Sequence, residues 1–178
     1  FAPAQISPLV ELARFPETND RTMARFHSAL NAMGKRVVTL AAREGLVANT
    51  VQMATFEAVD VLLLMGARPH EIDAAMQACG RVKGPCATMD ALGLARFRGA
   101  VAAQLAAEGL TFFDGRGRDE EACDEIDYLR RAHGLEATNV SRAEIIGRIC
   151  LAESNAGARL WEEGVVAHPV EIDTIMVS

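Results

Sequence analysis

A six-residue pattern that occurs twice restricts the fold of this chain more than any other feature of its sequence. The two copies are Glu71-Ile72-Asp73-Ala74-Ala75-Met76 and Glu171-Ile172-Asp173-Thr174-Ile175-Met176. A proline precedes each copy, at Pro69 and Pro169, and an apolar stripe with helical spacing ends upstream at Gly66 and Gly164. Because proline favours the first position of a helix, each copy predicts two helices joined by a turn. The alternative is two similar helix starts that arose by chance.

The stretch 45–114 is predicted to be the first of two helical repeats. Its first helix ends at Gly66, its second begins at Pro69, and Gly84-Pro85 interrupts the pattern. The stretch 87–107 then predicts one or two Ala/Leu-rich helices, interrupted at Gly93.

The stretch 115–178 is predicted to be a second, incomplete repeat. It starts with the polar linker 115–118, which is followed by a helix that Gly134 closes. Ser141 and Glu144 have the spacing of a capping box ahead of the next helix.

The segment 1–44 predicts a strand, a helix and a second strand. The first strand surrounds Glu11, the helix follows the N-cap candidates at 18–20, and the β-branched run 36–40 forms the second strand. The apolar face of the helix holds Met23, Phe26, Leu30 and Met33. Strand, helix and strand in this order are typical of a parallel α/β unit. The predicted fold class is therefore mainly α, with two tandem helical repeats preceded by a strand–helix–strand remnant.

Charge and composition exclude several classes of protein. With 18 Lys and Arg against 24 Asp and Glu, the net charge of −6 argues against a broad nucleic-acid surface. The sequence has no apolar run of the roughly 18 residues that a membrane span needs. The four cysteines have no disulfide or zinc spacing, so we expect a cytoplasmic protein without a metal site. The four histidines show no ligand or triad spacing either, and we expect them at the surface or at helix caps.

Three short motifs at the start of the chain occur together in one known family. Residues 1–12 end in Leu9-Val10-Glu11-Leu12, Gly34-Lys35 is followed by Val37-Val38, and the run 45–50 comes next. In this order they resemble H-F-F-x-P-x-x-x-x-L-V-E-V, L-G-K-x-x-V-x-V and G-F-x-x-N-R of the 3-hydroxyacyl-CoA dehydrogenase family, the first of which lies at the end of the family's NAD-binding domain.

Further motifs of the same family follow in the family's order. Between residues 56 and 93 they match the series E-A…E-G-A…I-D…G-P-F…D-x-x-G-L, and 155–173 matches N-E-A-A-R-x-L-E-E-G…D-I-D. The chain departs from these patterns at Thr50, where the family has Arg, and at Cys86, where it has an aromatic residue. The resemblance covers roughly 1–98 and 142–176 and implies the helical fold of 6-phosphogluconate dehydrogenase C-terminal domains.

This resemblance implies NAD-dependent oxidation of a 3-hydroxyacyl-CoA to the 3-oxoacyl-CoA, as in fatty-acid β-oxidation. In the family a histidine removes the hydroxyl proton and a glutamate holds its imidazole, as in a triad. Glu11 occupies the glutamate position and Asn49 that of the active-site asparagine. The catalytic histidine and the NAD fingerprint G-x-G-x-x-G are expected upstream of Phe1, so the chain alone is expected to be inactive.

Several alternatives are open at this point. Glu11 also fits a solvated carboxylate, and Asn49 also fits an N-cap of the next helix. The chain as a whole fits the helical domain of another NAD-dependent hydroxy-acid dehydrogenase, or a non-catalytic helical dimerisation module. The expected partners are an acyl-CoA substrate and either a second copy of the chain or an internal pseudo-dimer of the two repeats.

Overall fold

The computed structural model describes residues 6–177, and this part of the chain is mainly helical, as predicted. The part of the first family motif that falls on residues 1–5 lies outside the described residues. The elements are β1 (Leu9–Arg14), α1 (Asp20–Ala32), β2 (Arg36–Ala41), α2 (Ala48–Met65), α3 (Pro69–Ala78), α4 (Pro85–Leu92), α5 (Ala100–Ala107), α6 (Glu120–Ala132), α7 (Arg142–Glu162) and α8 (Pro169–Met176). A single 3₁₀ turn, Leu94–Arg96, precedes α5. None of the described helices is long and apolar enough to cross a membrane.

One compact unit combines the start of the chain, up to Gln52, with its end from Ser154. Its two strands pair in parallel from Leu9↔Arg36 to Arg14↔Ala41, and α1 makes the crossover between them. The buried core of this unit contains Leu9, Val38, Leu40, Val47, Val51, Leu160, Val165, Val166 and Ile175. The predicted strand–helix–strand order is thus confirmed.

Helix α1 buries less of its predicted apolar face than the spacing suggests. The side chain of Asn19 caps it by accepting a hydrogen bond from the Thr22 N–H at 2.9 Å. Met23 is buried, whereas Phe26 and Met33 are 57% and 69% exposed. Two strands lie only about 5 Å apart, so this sheet is too narrow to cover the whole stripe.

The second compact unit spans Met53–Glu153 and contains the larger hydrophobic core. Helices α3, α4, α5 and α6 lie wholly within it, and the division between the two units falls within α2 and within α7. Phe56 and Phe97 pack edge to face in this core, with their ring centroids 4.9 Å apart. The predicted boundaries after residues 44 and 114 concern sequence repeats, and they stay a prediction.

The two copies of the six-residue pattern have the same local structure. Each second helix begins at the proline, and the glutamate two residues later accepts a hydrogen bond from the backbone N–H just before that proline. The distances are 2.9 Å from Arg68 N to Glu71 Oε2 and 3.1 Å from His168 N to Glu171 Oε2. Gly66 and Gly164, which end the first helices, both have positive φ. This local match agrees with two helical repeats, which stay a prediction.

Two details of the sequence prediction need correction. The helical spacing after Pro69 predicts that Cys79 shares an apolar face with Ile72, Ala75 and Met76, but α3 ends at Ala78 and Cys79 is exposed. Of the capping box at the start of α7, the half that forms is the bond from the Glu144 N–H to Ser141 Oγ. The Glu144 carboxylate instead binds Arg148 one turn later, at 3.0 Å.

The short helix α4 begins at a buried carboxylate of α3. Asp73 Oδ1 and Oδ2 accept hydrogen bonds from the N–H groups of Cys86 and Ala87, at 2.8 and 3.0 Å. A Cβ atom on Gly84 would lie 2.0 Å from Asp73 Cγ. An isolated helix of eight residues is marginal, so α4 depends on this contact and on its packing.

Helix α5 begins in the same way at Asp60 of α2. The carboxylate accepts hydrogen bonds from Ala100, Val101 and Ala102, at 3.0, 2.9 and 3.3 Å. A Cβ atom on Gly99 would lie 2.4 Å from Asp60 Oδ1. Asp73 and Gly84, which belong to the I-D…G-P motif, are thus related in the same way as Asp60 and Gly99. In both pairs the carboxylate occupies the space that a side chain at the glycine position would need.

Replacing Gly84 by alanine should destabilise the protein, because the new methyl group would displace the Asp73 carboxylate. We expect the Gly84→Ala substitution to lower the free energy of unfolding by about 1–3 kcal/mol. Gly147→Ala is the matched control, since Gly147 lies inside α7 with no heavy atom within 4 Å of an added Cβ. There alanine should raise the free energy of unfolding by about 0.5–1 kcal/mol. Urea denaturation measures both, and equal effects would contradict the steric explanation.

Candidate functional site

Glu11 reaches from strand β1 to the start of helix α2. Its Oε1 atom accepts hydrogen bonds from the N–H groups of Val47 and Ala48, at 2.8 and 3.2 Å. These groups have no partner within the helix, and the helix dipole favours a negative charge beside them. Glu11 is therefore partly buried and bound, which removes the alternative of a merely solvated carboxylate.

An unusual turn brings the start of α2 to Glu11. Gly45 and Leu46 both have left-handed backbone conformations, with φ of 79° and 50°. For leucine this conformation costs about 1–2 kcal/mol, so the surrounding contacts must hold it in place. One such contact is the hydrogen bond from the Thr50 hydroxyl to the Leu46 carbonyl oxygen, at 2.5 Å.

Asn49 lies in the first turn of α2 and is exposed. Because α2 begins at Ala48, Asn49 is inside the helix, and the alternative of an N-cap residue is wrong. Its side chain makes no hydrogen bond to any residue between 6 and 177. The structure thus places both predicted site residues, Glu11 and Asn49, at the same helix N-terminus.

Glu11 differs in one respect from three aspartates of the second unit that also bind backbone N–H groups. Asp60 and Asp73 each use both carboxylate oxygens, as described above. Asp90 does the same, since its Oδ1 and Oδ2 accept the N–H groups of Phe112 and Phe113 at 2.8 and 3.0 Å. Glu11 binds through Oε1 alone, and within the described part of the chain nothing donates to Oε2. One oxygen holds the helix and the other is left available as an acceptor.

Burial gives the three aspartates unusual acid–base properties. Desolvation raises the pKa of Asp60, of Asp73 and of Asp90 above the ordinary value, although the backbone N–H groups that they bind lower each pKa in part. All their carboxylate oxygens accept hydrogen bonds from backbone N–H groups, so these aspartates have a structural role and are not candidates for proton transfer.

One histidine has a partner that the sequence did not reveal. His70 Nδ1 lies 2.8 Å from Asp119 Oδ2, and the His70 N–H binds the same oxygen at 3.2 Å. Burial raises the pKa of Asp119, but the hydrogen bonds from His70 outweigh it and leave this pKa lowered. The two residues are 49 positions apart, a separation that no local pattern detects. Across residues 6–177 no three His, Cys, Asp or Glu side chains are grouped around a common metal position.

The turn between β1 and α1 does not fit the pyrophosphate of a dinucleotide. A dinucleotide site places a glycine-rich turn between a strand and the N-terminus of a helix. The turn between β1 and α1, residues 15–19, contains no glycine, and the Asn19 side chain already occupies the start of α1. The strand–helix–strand part therefore offers no NAD site of this kind.

Residues 45–126 match the family model of the 3-hydroxyacyl-CoA dehydrogenase C-terminal domain. This segment covers 82 of the 178 residues, slightly less than half of the chain, and it starts where the first helical repeat was predicted to start. The resemblance that the sequence motifs indicated is confirmed.

Curated relatives extend the similarity to almost the whole chain. The fatty acid oxidation complex subunit alpha of Acinetobacter baylyi is 27% identical over 210 aligned positions, which cover 99% of this chain and 29% of the relative. The subunits of the same name from Psychrobacter arcticus and from Acinetobacter baumannii are also 27% identical, with the same coverage. The chain thus spans less than a third of the length of the curated relatives it matches.

The raised pKa of Asp60 predicts a pH-dependent contribution to stability. A group whose pKa is higher in the folded than in the unfolded state stabilises the fold fully below its unfolded pKa, about 3.9. That contribution is lost as the pH rises through the folded pKa. Because asparagine does not titrate, the stability of the Asp60→Asn variant relative to wild type should increase over this range above about pH 4.

Asp114 provides a control of opposite sign. The backbone N–H of Arg118 leads the interactions that lower the pKa of Asp114, so its contribution is present above about pH 3.9 and lost as the pH falls through the lowered pKa. The Asp114→Asn variant should therefore gain relative stability only below about pH 4. Urea denaturation at several pH values measures both differences, and parallel curves for the two variants would refute this assignment.

Proposed function

We propose that this chain is the C-terminal, substrate-side part of an NAD-dependent 3-hydroxyacyl-CoA dehydrogenase. The reaction is the oxidation of a 3-hydroxyacyl-CoA to the 3-oxoacyl-CoA in fatty-acid β-oxidation. The family match over 45–126 and the names of the relatives support this proposal. The observation that carries it is the carboxylate of Glu11 at the start of α2. Its Oε1 atom binds two backbone N–H groups, and its Oε2 atom has no donor among the described residues.

Glu11 is proposed as the positioning residue for the catalytic base. With Oε1 fixed by Val47 and Ala48, the carboxylate plane cannot turn freely, and Oε2 is the acceptor that remains. An imidazole N–H bound to Oε2 would be held in one tautomer and one orientation. The carboxylate would also stabilise the imidazolium that forms when the base takes the substrate's hydroxyl proton.

Asn49 is proposed as a polar contact to the substrate. Its exposed amide follows Ala48 directly, so it lies one residue from a backbone group that Glu11 binds. An amide both donates and accepts, which suits a hydroxyl or carbonyl group beside the base. A substrate oxygen held there would be close to the group that Glu11 positions.

The cofactor and the setting of the proposed enzyme follow from the family. NAD would accept the hydride and would be bound by residues other than those described here, which do not fit it. The substrate would be an acyl-CoA, and the enzyme would act in the cytoplasm, as a homodimer or with its two helical repeats packed as an internal pseudo-dimer. The chain by itself is proposed to be inactive.

A Glu11→Gln variant of the complete gene product tests the role of Glu11. Glutamine retains a carbonyl oxygen for the helix start but carries no charge, so the fold should remain while the base loses its stabilising partner. We expect kcat for 3-hydroxybutyryl-CoA to fall by about a hundredfold. Without the carboxylate the imidazole has a lower pKa, so the acidic limb of the kcat/KM profile should move to lower pH. NADH absorbance measures both.

The controls separate this role from a structural one. Glu44→Gln changes an exposed carboxylate near α2 and should leave the rate and the pH profile unchanged. Asn49→Ala should lower kcat/KM, whereas Asn139→Ala, at an exposed loop residue, should not. A Glu11→Gln enzyme whose pH profile is unchanged would contradict the positioning role.

The choice of substrate separates the proposal from its two alternatives. Activity on hydroxy acids without coenzyme A, and none on 3-hydroxybutyryl-CoA, would favour a different NAD-dependent dehydrogenase. A complete gene product that neither binds NAD in calorimetry nor oxidises either substrate would favour a non-catalytic helical module.

A further inference from the structure

A cavity of about 290 Å³ opens in the second compact unit, between α2 and the segment that leads into α5. Its apolar lining comes from Met53 and Phe56 of α2, Met89 of α4, and Phe97. The edge-to-face packing of Phe56 on Phe97 fixes two of these side chains in place. A rigid apolar cavity that opens at the surface can accept part of an apolar ligand without rearrangement.

Two arginines line the same cavity. Arg96 and Arg98 flank the buried Phe97, whose backbone is extended with φ of −100° and ψ of 148°. Arg96 ends the 3₁₀ turn Leu94–Arg96 and Arg98 directly follows Phe97, and both residues line the cavity. Both arginines are exposed, and neither forms an ion pair with any of the residues 6–177. Two cationic groups thus stand together beside an apolar surface.

The acidic residues of the cavity leave this positive charge largely uncompensated. Both carboxylate oxygens of Asp60 accept hydrogen bonds from backbone N–H groups at the start of α5. The positive end of the helix dipole therefore offsets part of its negative charge. Glu57 lines the cavity and is exposed, but it makes no ion pair within the described part of the chain. A ligand with a negative group could bind both arginines without displacing an existing partner.

We propose that this cavity binds a single-chain amphipathic anion, with its alkyl chain on Met53, Phe56 and Phe97 and its carboxylate or phosphate group on Arg96 and Arg98. The volume is at the lower end of the roughly 300–1,000 Å³ typical of small-molecule sites. It therefore suits a short chain with a small head group and excludes a whole coenzyme A thioester. Neither Glu11 nor Asn49 lines this cavity, and its test does not depend on the function proposed above.

Methionine methyl groups report on the site directly. In NMR spectra of the chain labelled at its methionine methyl groups, titration with octanoate should shift the signals of Met53 and Met89 with saturation. Met33, which is 69% exposed on α1, and Met176, on α8, are controls for non-specific binding and should not shift. Octyl phosphate replaces octanoate in a second titration, and the tighter ligand shows which anionic group the site prefers.

Charge variants test the role of the arginines. We expect the double variant Arg96→Gln/Arg98→Gln to bind octanoate about tenfold more weakly, since two partly exposed charge contacts are lost. Arg116→Gln, at an exposed arginine outside the cavity, should bind as wild type does. Glu57→Gln removes the negative charge that opposes the ligand and should tighten binding.

The uncharged and cationic analogues complete the test. Octanol and octyltrimethylammonium should bind much more weakly than octanoate, because neither offers a negative group to the arginines. The proposal would be overturned if octanoate failed to shift Met53 and Met89, or if it shifted Met33 equally. It would also be overturned if octanol or the double variant matched the wild-type affinity for octanoate, or if Glu57→Gln failed to tighten binding.

Discussion

Carboxylate side chains in this protein bind the free backbone N–H groups at the start of elements that lie later in the chain. Asp73 holds α4 across 13 positions, Asp60 holds α5 across about 40, and Glu11 holds α2 across 36. Isolated helices of eight residues are marginal, so α4 and α5 need an external contact to define where they begin. The two aspartates supply that contact and join the start of each later helix to an earlier helix, whereas Glu11 joins the start of α2 to strand β1.

These contacts explain why certain residue pairs recur in the sequence. A carboxylate that approaches a helix start leaves no room for a side chain beside it, so Gly84 and Gly99 stand where a Cβ would touch Asp73 and Asp60. The I-D and G-P motifs of the family resemblance therefore contain the two partners of one contact. Asp73 of the first motif packs against Gly84 of the second and binds the helix that starts there. Burial raises the pKa of both aspartates, so the fold keeps these charges at some cost in solvation.

Predictions from sequence succeeded for the kinds of elements and for most of their starts, and they missed the contacts between residues far apart in the chain. Helix starts at Pro69 and Pro169 and the strand–helix–strand order of the first segment follow from local preferences and were confirmed. The pairing of His70 with Asp119 was not predicted, because 49 residues separate them. Arg96 was not singled out either, since an exposed arginine in a loop has the same local sequence signature whether or not it borders a cavity.

The candidate site shows the same division. The family resemblance selected Glu11 and Asn49, but it said nothing of how the two are related in space. The sequence by itself determined the kinds and order of elements and the residues able to carry charge, because helix caps, periodicity and glycine positions act over a few residues. Only the tertiary structure decided that one carboxylate oxygen of Glu11 binds the start of α2 and that the other oxygen has no donor among the described residues. That outcome depends on a left-handed turn at Leu46 and on strand pairing, which join groups far apart in the chain.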